Sequence, residues 1–307
     1  AWNGAQWISL GYSPSCANVN SMISVDRDGA GGNAPVLFAG ASGALFNDYD
    51  TGEFVPYLGW WDGVRWQPLG LPPSNEVRAL LYDDPDGSGP DQGTLYVAGK
   101  FTQIGGITAN RIAAFDFNTN EWRAIGSIGS GTNDKVNALA MLDVDGAGGL
   151  PPVLVAGGYF SVADGQTAYG IAKWDGASWS AMDGGVYYRN TSGAVFTGQV
   201  ESLLVLPGNP YPRLLAGGQY IDFAGNVYSG NIACWERAET VHVEMLSETT
   251  VAHAGAKIVL RASAIGDDPI TYQWRRNGVP LSDNERITGS DKGILRIFNV
   301  DRLDEGS

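Results

Sequence analysis

Hydrophobic and polar residues alternate along short stretches of this chain, and turn residues separate one stretch from the next. Val136–Leu142 alternates, Val153–Gly157 is apolar throughout, and Gly170–Trp174 and Ser178–Met182 follow. A period of two predicts a strand with one buried face, and a short unbroken apolar stretch predicts a strand buried on both faces. Asp175-Gly176 predicts a tight hairpin. We therefore predict four short antiparallel strands between residues 136 and 182.

The same pattern recurs about every sixty residues. An apolar stretch that ends in glycine marks each copy, and these glycines are 59, 58 and 60 residues apart: Gly40, Gly99, Gly157 and Gly217. Tryptophans recur with spacings of 59, 56 and 57 residues: Trp7, Trp66, Trp122 and Trp179. A fixed period of this length predicts stacked or radial repeats. We assign an all-β fold with four repeats, the last without an evident fourth strand, near residues 20–70, 77–126, 136–182 and 200–237.

Four antiparallel strands per repeat predict the blade of a β-propeller, in which blades pack face to face around a channel. Small residues at the ends of the second strands suit a close approach of neighbouring backbones. A stacked β-solenoid is the alternative, but its strands usually pair in parallel.

The first ten residues, Ala1–Leu10, look like the third–fourth-strand hairpin of another blade. They either complete the fourth repeat, which gives four or five blades, or end an upstream blade, which gives six or seven. We favour the second alternative, because the first leaves one third strand redundant. The prediction is four recognisable blades and a partial N-terminal blade.

A double glycine after the second strand, an aromatic residue in the third strand and a following tryptophan resemble the kelch repeat. The matching residues are Gly157, Gly158, Trp174 and Trp179 and, more loosely, Gly99, Phe115 and Trp122. The sequence from Leu154 to Met182 and the turn Asp83–Pro90 are similar to repeats of large secreted bacterial proteins of planctomycete type. The resemblance covers residues 1–237. It implies a propeller and an extracellular or surface role, but no particular activity.

Residues 241–307 leave the repeat and resemble an immunoglobulin-like (Ig-like) domain of the intermediate set. The resemblance is carried by Ala254-Gly255, Ile258–Leu260, Tyr272–Gly278, Leu281, Ile294–Ile297 and Asp304–Gly306. It implies that Trp274 is the buried tryptophan of strand C, while Ala262 stands at the strand-B cysteine position. The last two strands of the family are missing. Because an incomplete sandwich exposes a sheet edge, we expect that this domain can mediate self-assembly.

Composition and charge reduce the number of function classes that fit this chain. Among 307 residues there are 43 glycines, 10 tryptophans and 13 tyrosines, which suits short strands and tight turns. The net charge is −14, of which −12 falls in residues 1–240, and an acidic surface disfavours nucleic-acid binding. No apolar stretch is long enough to cross a bilayer. Two cysteines, Cys16 and Cys234, make no disulfide framework, and their pairing stays open.

Histidine chemistry is excluded from the repeats, because the two histidines are His242 and His253. A serine-histidine-aspartate triad or a histidine metal cluster is therefore not expected there. A carbohydrate-active enzyme with paired carboxylates is the alternative function. Its candidate acids are Asp62 and Asp175 in hairpin turns and, nearer the opposite loops, Asp164, Glu201 and Asp222. Three or more carboxylates around one mouth of the channel would favour this alternative.

An Asp-x-Asp-Gly sequence recurs between the first and second strands of three repeats, and it suggests weak calcium sites. Its aspartates are Asp26, Asp28, Asp84, Asp86, Asp143 and Asp145. Calcium prefers about six to eight oxygen ligands, so carbonyls and water would have to complete each site. The alternative is a turn whose aspartates accept hydrogen bonds from their own backbone. Apart from this calcium hypothesis, we expect no cofactor.

The longest linker between repeats, Asp183–Gln199, predicts a binding surface on the face opposite the Asp-Gly hairpins. It carries Tyr187, Tyr188, Arg189 and Phe196. Tyrosine and arginine are favoured in interfaces. The alternative is that these aromatic residues fold back over the edge of a blade. We predict a non-enzymatic binding, adhesion or structural protein that is secreted or at the cell surface and has a protein or glycan partner.

Overall fold

The structure is a computed structural model and describes residues 5–7, 18–29, 31–47, 54–87, 89, 91–129, 134–145, 150–208, 211–224, 227–236, 242–245, 252–265 and 271–305. Within these ranges the chain forms β-strands and no α-helix, which confirms the all-β prediction. Two compact units divide the chain, Ala1–Glu236 and Arg237–Ser307. None of the helices in the described part is long and apolar enough to cross a membrane.

The first two repeats each form a four-stranded antiparallel sheet, called sheet 1 and sheet 2. The strands of sheet 1 are β1 (Val19–Val25), β2 (Val36–Asn47), β3 (Phe54–Trp61) and β4 (Trp66–Gln67), paired in this order. The next strands are β5 (Val77–Asp83), β6 (Thr94–Gly99), β7 (Gln103–Ile104), β8 (Ile107–Thr108), β9 (Ile112–Asp116) and β10 (Glu121–Ala124). Sheet 2 has the order β5-β6-β9-β10, and β7 and β8 form a separate small hairpin.

The third and fourth repeats form sheet 3 and sheet 4. The third contains β11 (Lys135–Leu142), β12 (Val153–Tyr159), β13 (Val162–Ala163), β14 (Gln166–Thr167), β15 (Ile171–Trp174) and β16 (Trp179–Ala181). The strands that follow are β17 (Val186–Arg189), β18 (Val195–Thr197), β19 (Gln199–Leu206), β20 (Arg213–Gln219), β21 (Phe223–Ala224), β22 (Val227–Tyr228) and β23 (Ile232–Glu236). Sheet 3 has the order β11-β12-β15-β16, whereas sheet 4 has only β19-β20-β23.

Most strands lie within two residues of the ends that the hydrophobic pattern predicts, and sheet 1 is the exception. There β2 continues through Ser42 and Gly43 to Asn47 and pairs with a β3 that begins at Phe54. Register shifts interrupt this ladder on both sides of Ala44. Ser42 and Gly43 interrupt the alternation of hydrophobic and polar residues. The sequence pattern therefore predicts an end of β2 at Gly40, before its observed end at Asn47.

Neighbouring sheets meet where a small residue near the end of a second strand faces a valine at the start of the next first strand. A Cβ added at Gly157 would lie 2.5 Å from Cγ1 of Val200, and one added at Gly40 would overlap Cγ1 of Val77. Between sheets 2 and 3 the equivalent pair is Ala98 and Val136, which share one buried core cluster. Sheets 1 to 4 therefore pack through their first strands in chain order.

This pairing corrects one equivalence that the glycine spacing suggests. The register places Gly40, Gly157 and Gly217 at one position and Ala98 at that position in sheet 2. Gly99 instead corresponds to Gly158 and Gly218. The glycine spacing misaligns sheet 2 by one residue, because this sheet has alanine at the position where the other three sheets have glycine.

Two asparagine side chains tie the sheets together at the same level. Each first strand has a bulge at the residue after its interface valine, which is Asn20 in β1 and Asn137 in β11. The Asn20 amide donates a hydrogen bond to the Val77 carbonyl oxygen at 2.8 Å, and the buried Asn137 amide donates to the Val200 carbonyl at 2.9 Å. These hydrogen bonds fix the position of one sheet relative to the next along the strand direction.

Within the described residues the row of sheets does not close. Val19, the equivalent of the buried interface valines, is 50% exposed at the sheet 1 end of the row. At the sheet 4 end, a Cβ added at Gly217 would meet only the Ser202 hydroxyl, at 3.3 Å. The row thus presents a valine at one end and a space for a side chain at the other.

The second unit contains one small sheet and a hairpin. Its strands are β24 (His242–Met245), β25 (Ile258–Ile265), β26 (Arg275–Arg276), β27 (Val279–Pro280), β28 (Ile287–Thr288) and β29 (Ile294–Ile297), and a 3₁₀ turn spans Arg302–Asp304. The sheet order is β24-β25-β29-β28. Trp274 is only partly buried, and its indole N–H donates to the Lys292 carbonyl at 2.7 Å. Trp274 packs against the core cluster of this unit, which includes Leu295 and Ile297, and its position in strand C of an Ig-like domain stays a prediction.

We expect Gly157→Ala to destabilise the first unit by about 1 to 3 kcal/mol, because the added methyl group overpacks the contact with Val200. Gly32→Ala is the matched control, since a Cβ there has no neighbour within 4 Å. Urea unfolding of both variants measures the difference. Equal stability of the two variants would show that the sheets are not packed this closely.

The hairpin turns give a second prediction, on pH. One carboxylate oxygen of Asp175 accepts the N–H groups of Ala177 at 2.9 Å and Ser178 at 2.8 Å. The Ser178 N–H bond is the main reason that the pKa of Asp175 is lowered. Because the folded-state pKa is lowered, this stabilisation is present above the unfolded pKa of about 3.9 and is lost as pH falls through the folded value.

Asp175→Ala should therefore lower the melting temperature at neutral pH, and the difference from the unmodified chain should shrink below about pH 4. Asp175→Asn keeps an acceptor oxygen and serves as the control: its loss at neutral pH should be smaller, and it should shrink over the same acid range, because the titrating carboxyl group is absent from both variants. Thermal melts across the acid range measure both. A difference that stays constant with pH would contradict the role of the carboxylate.

Candidate functional site

The fourth repeat departs from the others in the linker that leads into it. Val77 follows Trp66 by eleven positions, Val136 follows Trp122 by fourteen, and Val200 follows Trp179 by twenty-one. The extra residues form the hairpin β17–β18, which the sequence pattern did not predict. Strand β17 also pairs with β21, so the hairpin is anchored to the fourth repeat.

A second departure is one inserted residue, Tyr220. In the second and third repeats the backbone after the double small residue reaches Phe101 and Phe160, whose carbonyls accept the N–H groups of Arg111 and Gly170. In the fourth repeat the equivalent bond runs from the Asn231 N–H to the Ile221 carbonyl, one residue later. Tyr220 takes the extra place with a left-handed φ of 56°, and its side chain is 60% exposed.

These two departures meet in a group of rings that we call the aromatic cluster: Tyr188, Phe196 and Tyr220. The rings of Tyr188 and Phe196 stack at 5.1 Å with an interplanar angle of 17°, and the Tyr188 and Tyr220 rings lie 5.4 Å apart. Phe196 is 43% exposed. Tyr188 is half-buried between them. The cluster is therefore an exposed aromatic surface held by its own ring contacts.

Of the four predicted partner-binding residues, the structure places Tyr188 and Phe196 in the cluster, while Tyr187 and Arg189 lie outside it. Tyr187 is buried, its carbonyl accepts the Asp222 N–H at 3.1 Å, and its ring contacts Tyr169. The Arg189 guanidinium lies over the Tyr187 ring at 5.5 Å. Sequence reasoning missed Tyr220. The signal was the extra residue between Gly218 and Ile221 relative to the other repeats.

A group of charged residues surrounds the starts of the first strands. Burial and the positive charges of Arg78 and Lys100 lower the pKa of Lys135, and the carboxylates of Glu201 and Glu76 act in the opposite direction. Arg78 also forms an ion pair with Glu76 at 3.0 Å. In the described part of the chain, this end of the sheets thus brings together charges of both signs.

The other candidate acids have structural partners. The two carboxylate oxygens of Asp164 accept the N–H groups of Ser127 at 2.6 Å and Trp179 at 2.8 Å. Asp62 accepts the N–H groups of Val64 and Arg65, each at 2.8 Å, and the Arg65 bond is the main cause of its lowered pKa. These acids therefore hold turns and strand ends.

The Asp-x-Asp-Gly loops bind their own backbone. Asp28 N–H donates to Asp26 at 3.1 Å and Asp145 N–H donates to Asp143 at 3.2 Å, while Gly87 N–H donates to Asp84 at 3.1 Å. The second aspartates, Asp28, Asp86 and Asp145, accept the N–H groups of Asn33, Asp91 and Leu150. Across the described ranges, no group of three or more His, Cys, Asp or Glu side chains is arranged to hold a metal ion. Calcium binding by these six aspartates stays a prediction.

Two of these loops lie close together. The Tyr82 hydroxyl donates to the Asp26 carbonyl at 2.6 Å, and burial together with the charges of Asp84 and Asp26 raises its pKa to about 12. Burial also raises the pKa of Asp84, with a contribution from Asp86. The carboxylates of Asp26, Asp84 and Asp86 therefore influence one another at the ends opposite to the first-strand bulges.

Cys234 in β23 is a free and exposed thiol. Cys16 lies outside the described residues, so the pairing of the two cysteines stays open.

Comparison with known proteins gives short similarities. The chain is 36% identical to rat (Rattus norvegicus) Contactin-4 and 35% identical to human (Homo sapiens) Contactin-4, in each case over 63 residues and 20% of the chain. These matches span about 6% of the length of the curated relatives. No family model and no solved structure matches the chain.

The backbone at Tyr220 gives a test of how the aromatic cluster is built. A non-glycine residue in the left-handed region is strained by about 1 to 2 kcal/mol, whereas glycine is not. Tyr220→Gly and Tyr220→Ala both remove the ring, but only glycine relieves the strain. We expect Tyr220→Ala to be less stable than Tyr220→Gly by about 1 kcal/mol in urea unfolding. Equal stability would mean that the position carries no backbone strain.

Proposed function

We propose that this chain is a non-enzymatic binding or adhesion protein that acts outside the cell or at its surface. In this proposal the first unit is a β-propeller whose blades are sheets 1 to 4, and the second unit is an Ig-like module. The propeller assignment rests on three four-stranded antiparallel sheets of one topology and a fourth sheet with three strands, which pack through their first strands in chain order. Radial packing of such sheets is the propeller arrangement.

One observation carries the binding function: the two departures from the repeat meet in one exposed surface. Insertions in connecting segments are tolerated because they leave the shared packing unchanged, and such segments often carry binding residues. Here both insertions contribute rings to the aromatic cluster. Rigid aromatic side chains supply contact area at low entropic cost and are typical of binding hot spots.

The partner in this proposal is a protein or a glycan. Flat exposed rings suit the apolar faces of sugar rings and also the anchor residues of protein interfaces. The net charge of −14 argues against a polyanionic partner such as a nucleic acid.

The similarity to Contactin-4 supports the Ig-like assignment of an adhesion-type module and a position at the cell surface. It spans 63 residues, which is close to the length of the second unit, and in this proposal we connect it with that module. Self-assembly through a sheet edge of the Ig-like module stays part of the proposal. The bacterial origin implied by the repeat resemblance stays a prediction.

The carbohydrate-active enzyme receives less support than binding. Its test was the convergence of three or more carboxylates at one mouth of a channel. In the described residues, Asp164 and Asp62 accept backbone hydrogen bonds, and Glu76 and Glu201 lie among Lys135, Arg78 and Lys100. This arrangement suits recognition of a polar ligand better than cleavage by a pair of acids.

Binding is tested with the labelled full chain on an array of glycans and on immobilised extracellular proteins. Tyr220→Gly and Phe196→Ala should each weaken binding at least about tenfold, because truncating a hot-spot ring costs about 2 kcal/mol or more. Phe54→Ala is the control, since Phe54 is an exposed phenylalanine of β3 outside the cluster. Binding that survives both cluster variants, or that Phe54→Ala weakens equally, would reject the aromatic cluster as the site.

A further inference from the structure

The second and third repeats differ in one turn beside the fourth-strand tryptophan. The turn of β7–β8 begins with Gly105, and the turn of β13–β14 begins with Asp164. The N–H group of each donates to a carbonyl of the preceding loop, that of Leu71 at 2.9 Å and that of Ser127 at 2.8 Å. Both turn residues have a left-handed φ, 59° at Gly105 and 44° at Asp164. Gly105 therefore has the position of Asp164 but not its carboxylate.

The tryptophans beside these turns are held differently. Trp179 is 2% exposed, and its indole N–H donates to the Ile125 carbonyl at 2.8 Å. Trp122 has the same position in sheet 2 but is only partly buried. Its Nε1 atom is buried and has no hydrogen-bond partner in the described part of the chain. Packing and hydrogen bonding thus account for Trp179, whereas the Trp122 N–H group lacks an acceptor.

Two glycines lie next to this N–H group. A Cβ added at Gly105 would lie 2.6 Å from Nε1 of Trp122, and one added at Gly70 would lie 3.7 Å from it. Both glycines line a cavity of about 420 Å³ beside the Trp122 ring, which we call the Trp122 cavity. Sites for small molecules typically have volumes of about 300 to 1,000 Å³. The Trp122 cavity is therefore large enough for a small ligand.

Polar and aromatic side chains complete the lining of the Trp122 cavity. Asn120 and Glu121 both line it and are both exposed. In the described ranges neither side chain has a hydrogen-bond or ion-pair partner. The buried ring of Phe115 also lines the cavity and contacts the Trp122 ring edge-to-face at 5.1 Å. The cavity thus combines aromatic rings, an indole N–H group without an acceptor and two polar side chains that are available to a ligand.

We infer that the Trp122 cavity binds a neutral sugar, either free or at the end of a glycan. A hydroxyl group both accepts and donates hydrogen bonds. A sugar hydroxyl can therefore accept the Trp122 N–H after a small rotation of the ring and donate to the Glu121 carboxylate. A second hydroxyl can bond to the Asn120 amide. The apolar face of the sugar ring packs on the indole, which is a large and rigid apolar surface with one polar atom.

Other classes of ligand fit this lining less well. An anion would lie beside the Glu121 carboxylate, in a chain whose net charge is −14. A cation suits the carboxylate and the face of the Trp122 ring, but it leaves the indole N–H without an acceptor. An apolar ligand leaves both the N–H group and the polar side chains unpaired. A neutral ligand with several hydroxyl groups satisfies all of them.

The test follows the indole N–H resonances of the full chain by heteronuclear NMR. The chain is titrated with the methyl glycosides of glucose, galactose, mannose and N-acetylglucosamine, and Trp122→Phe and Trp179→Phe identify the two resonances by their disappearance. At least one glycoside should shift the Trp122 resonance. The Trp179 resonance should stay in place, because its N–H is already bonded to the Ile125 carbonyl. If no glycoside shifts the Trp122 resonance, water alone fills the cavity and the inference is wrong.

Variants of the exposed lining residues locate the sugar. Glu121→Ala should weaken binding of the glycoside about tenfold, because a hydrogen bond to a charged group is lost. Asn120→Gly should also weaken it, and glycine suits the left-handed φ of 59° at this position. Glu285→Ala is the matched control, since Glu285 is an exposed glutamate of the second unit. Equal affinities of Glu121→Ala and Glu285→Ala would overturn the inference.

Gly105→Asp fills the site from within. It supplies the side chain that Asp164 has in the third repeat, and this side chain would occupy the space beside the Trp122 ring. We expect the variant to lose sugar binding. Thermal melting establishes that it folds. A folded Gly105→Asp variant that still binds the glycoside would contradict the site.

This site lies in the second repeat and does not rest on the proposed function, whose aromatic cluster lies at the fourth repeat. Tyr220→Gly should leave the sugar-induced shift of the Trp122 resonance unchanged. Loss of this shift in Tyr220→Gly would place the sugar at the aromatic cluster and would reject the Trp122 cavity. The array experiment depends on the aromatic cluster and the NMR experiment on the Trp122 cavity, so the two proposals can fail separately.

Discussion

The contact between a small residue near the end of one sheet's second strand and a valine in the next sheet's first strand organises the first unit. At Gly157 there is no room for even a methyl group beside Val200, so the distance between sheets 3 and 4 is set by backbone against side chain. The Asn137 amide fixes the same two sheets along the strand direction through the Val200 carbonyl. Because this contact holds the first and second strands, the third and fourth strands and the loops can vary without changing the packing between sheets.

This division explains what the sequence could and could not predict. Nearly all strands could be predicted, because alternation, apolar stretches and Asp-Gly turns are each visible within a few consecutive residues. The contact between sheets is not local. The spacing aligns Gly99 with Gly157, whereas Ala98 occupies that position, since alanine and glycine both satisfy a requirement for a small residue. The short hairpins, such as β13–β14, were not predicted, because strands of two residues are too short to show a periodicity.

The candidate site was predictable in part for the same reason. Tyr188 and Phe196 stand out because they lie in the longest linker, and length is visible in the sequence. Tyr220 lies in a segment that looks like its counterparts, and its role depends on one extra residue that forces a left-handed backbone. The aspartates of the Asp-x-Asp-Gly loops have a spacing that fits two different roles. Their spacing suggests a metal site, yet the same carboxylates accept backbone hydrogen bonds, because an aspartate that shapes a turn and one that binds calcium occupy similar sequence positions.

Sheet 4 combines the site and the incomplete edge, and the two are physically connected. Strand β23 pairs with β20, and β20 leads at Gln219 directly into Tyr220. Among the described residues, β23 is an edge strand of sheet 4 and pairs with β20 alone. An edge strand is less well held than a strand with neighbours on both sides. The pairing of β23 with β20 therefore connects the stability of this edge with the backbone that holds Tyr220 against Tyr188.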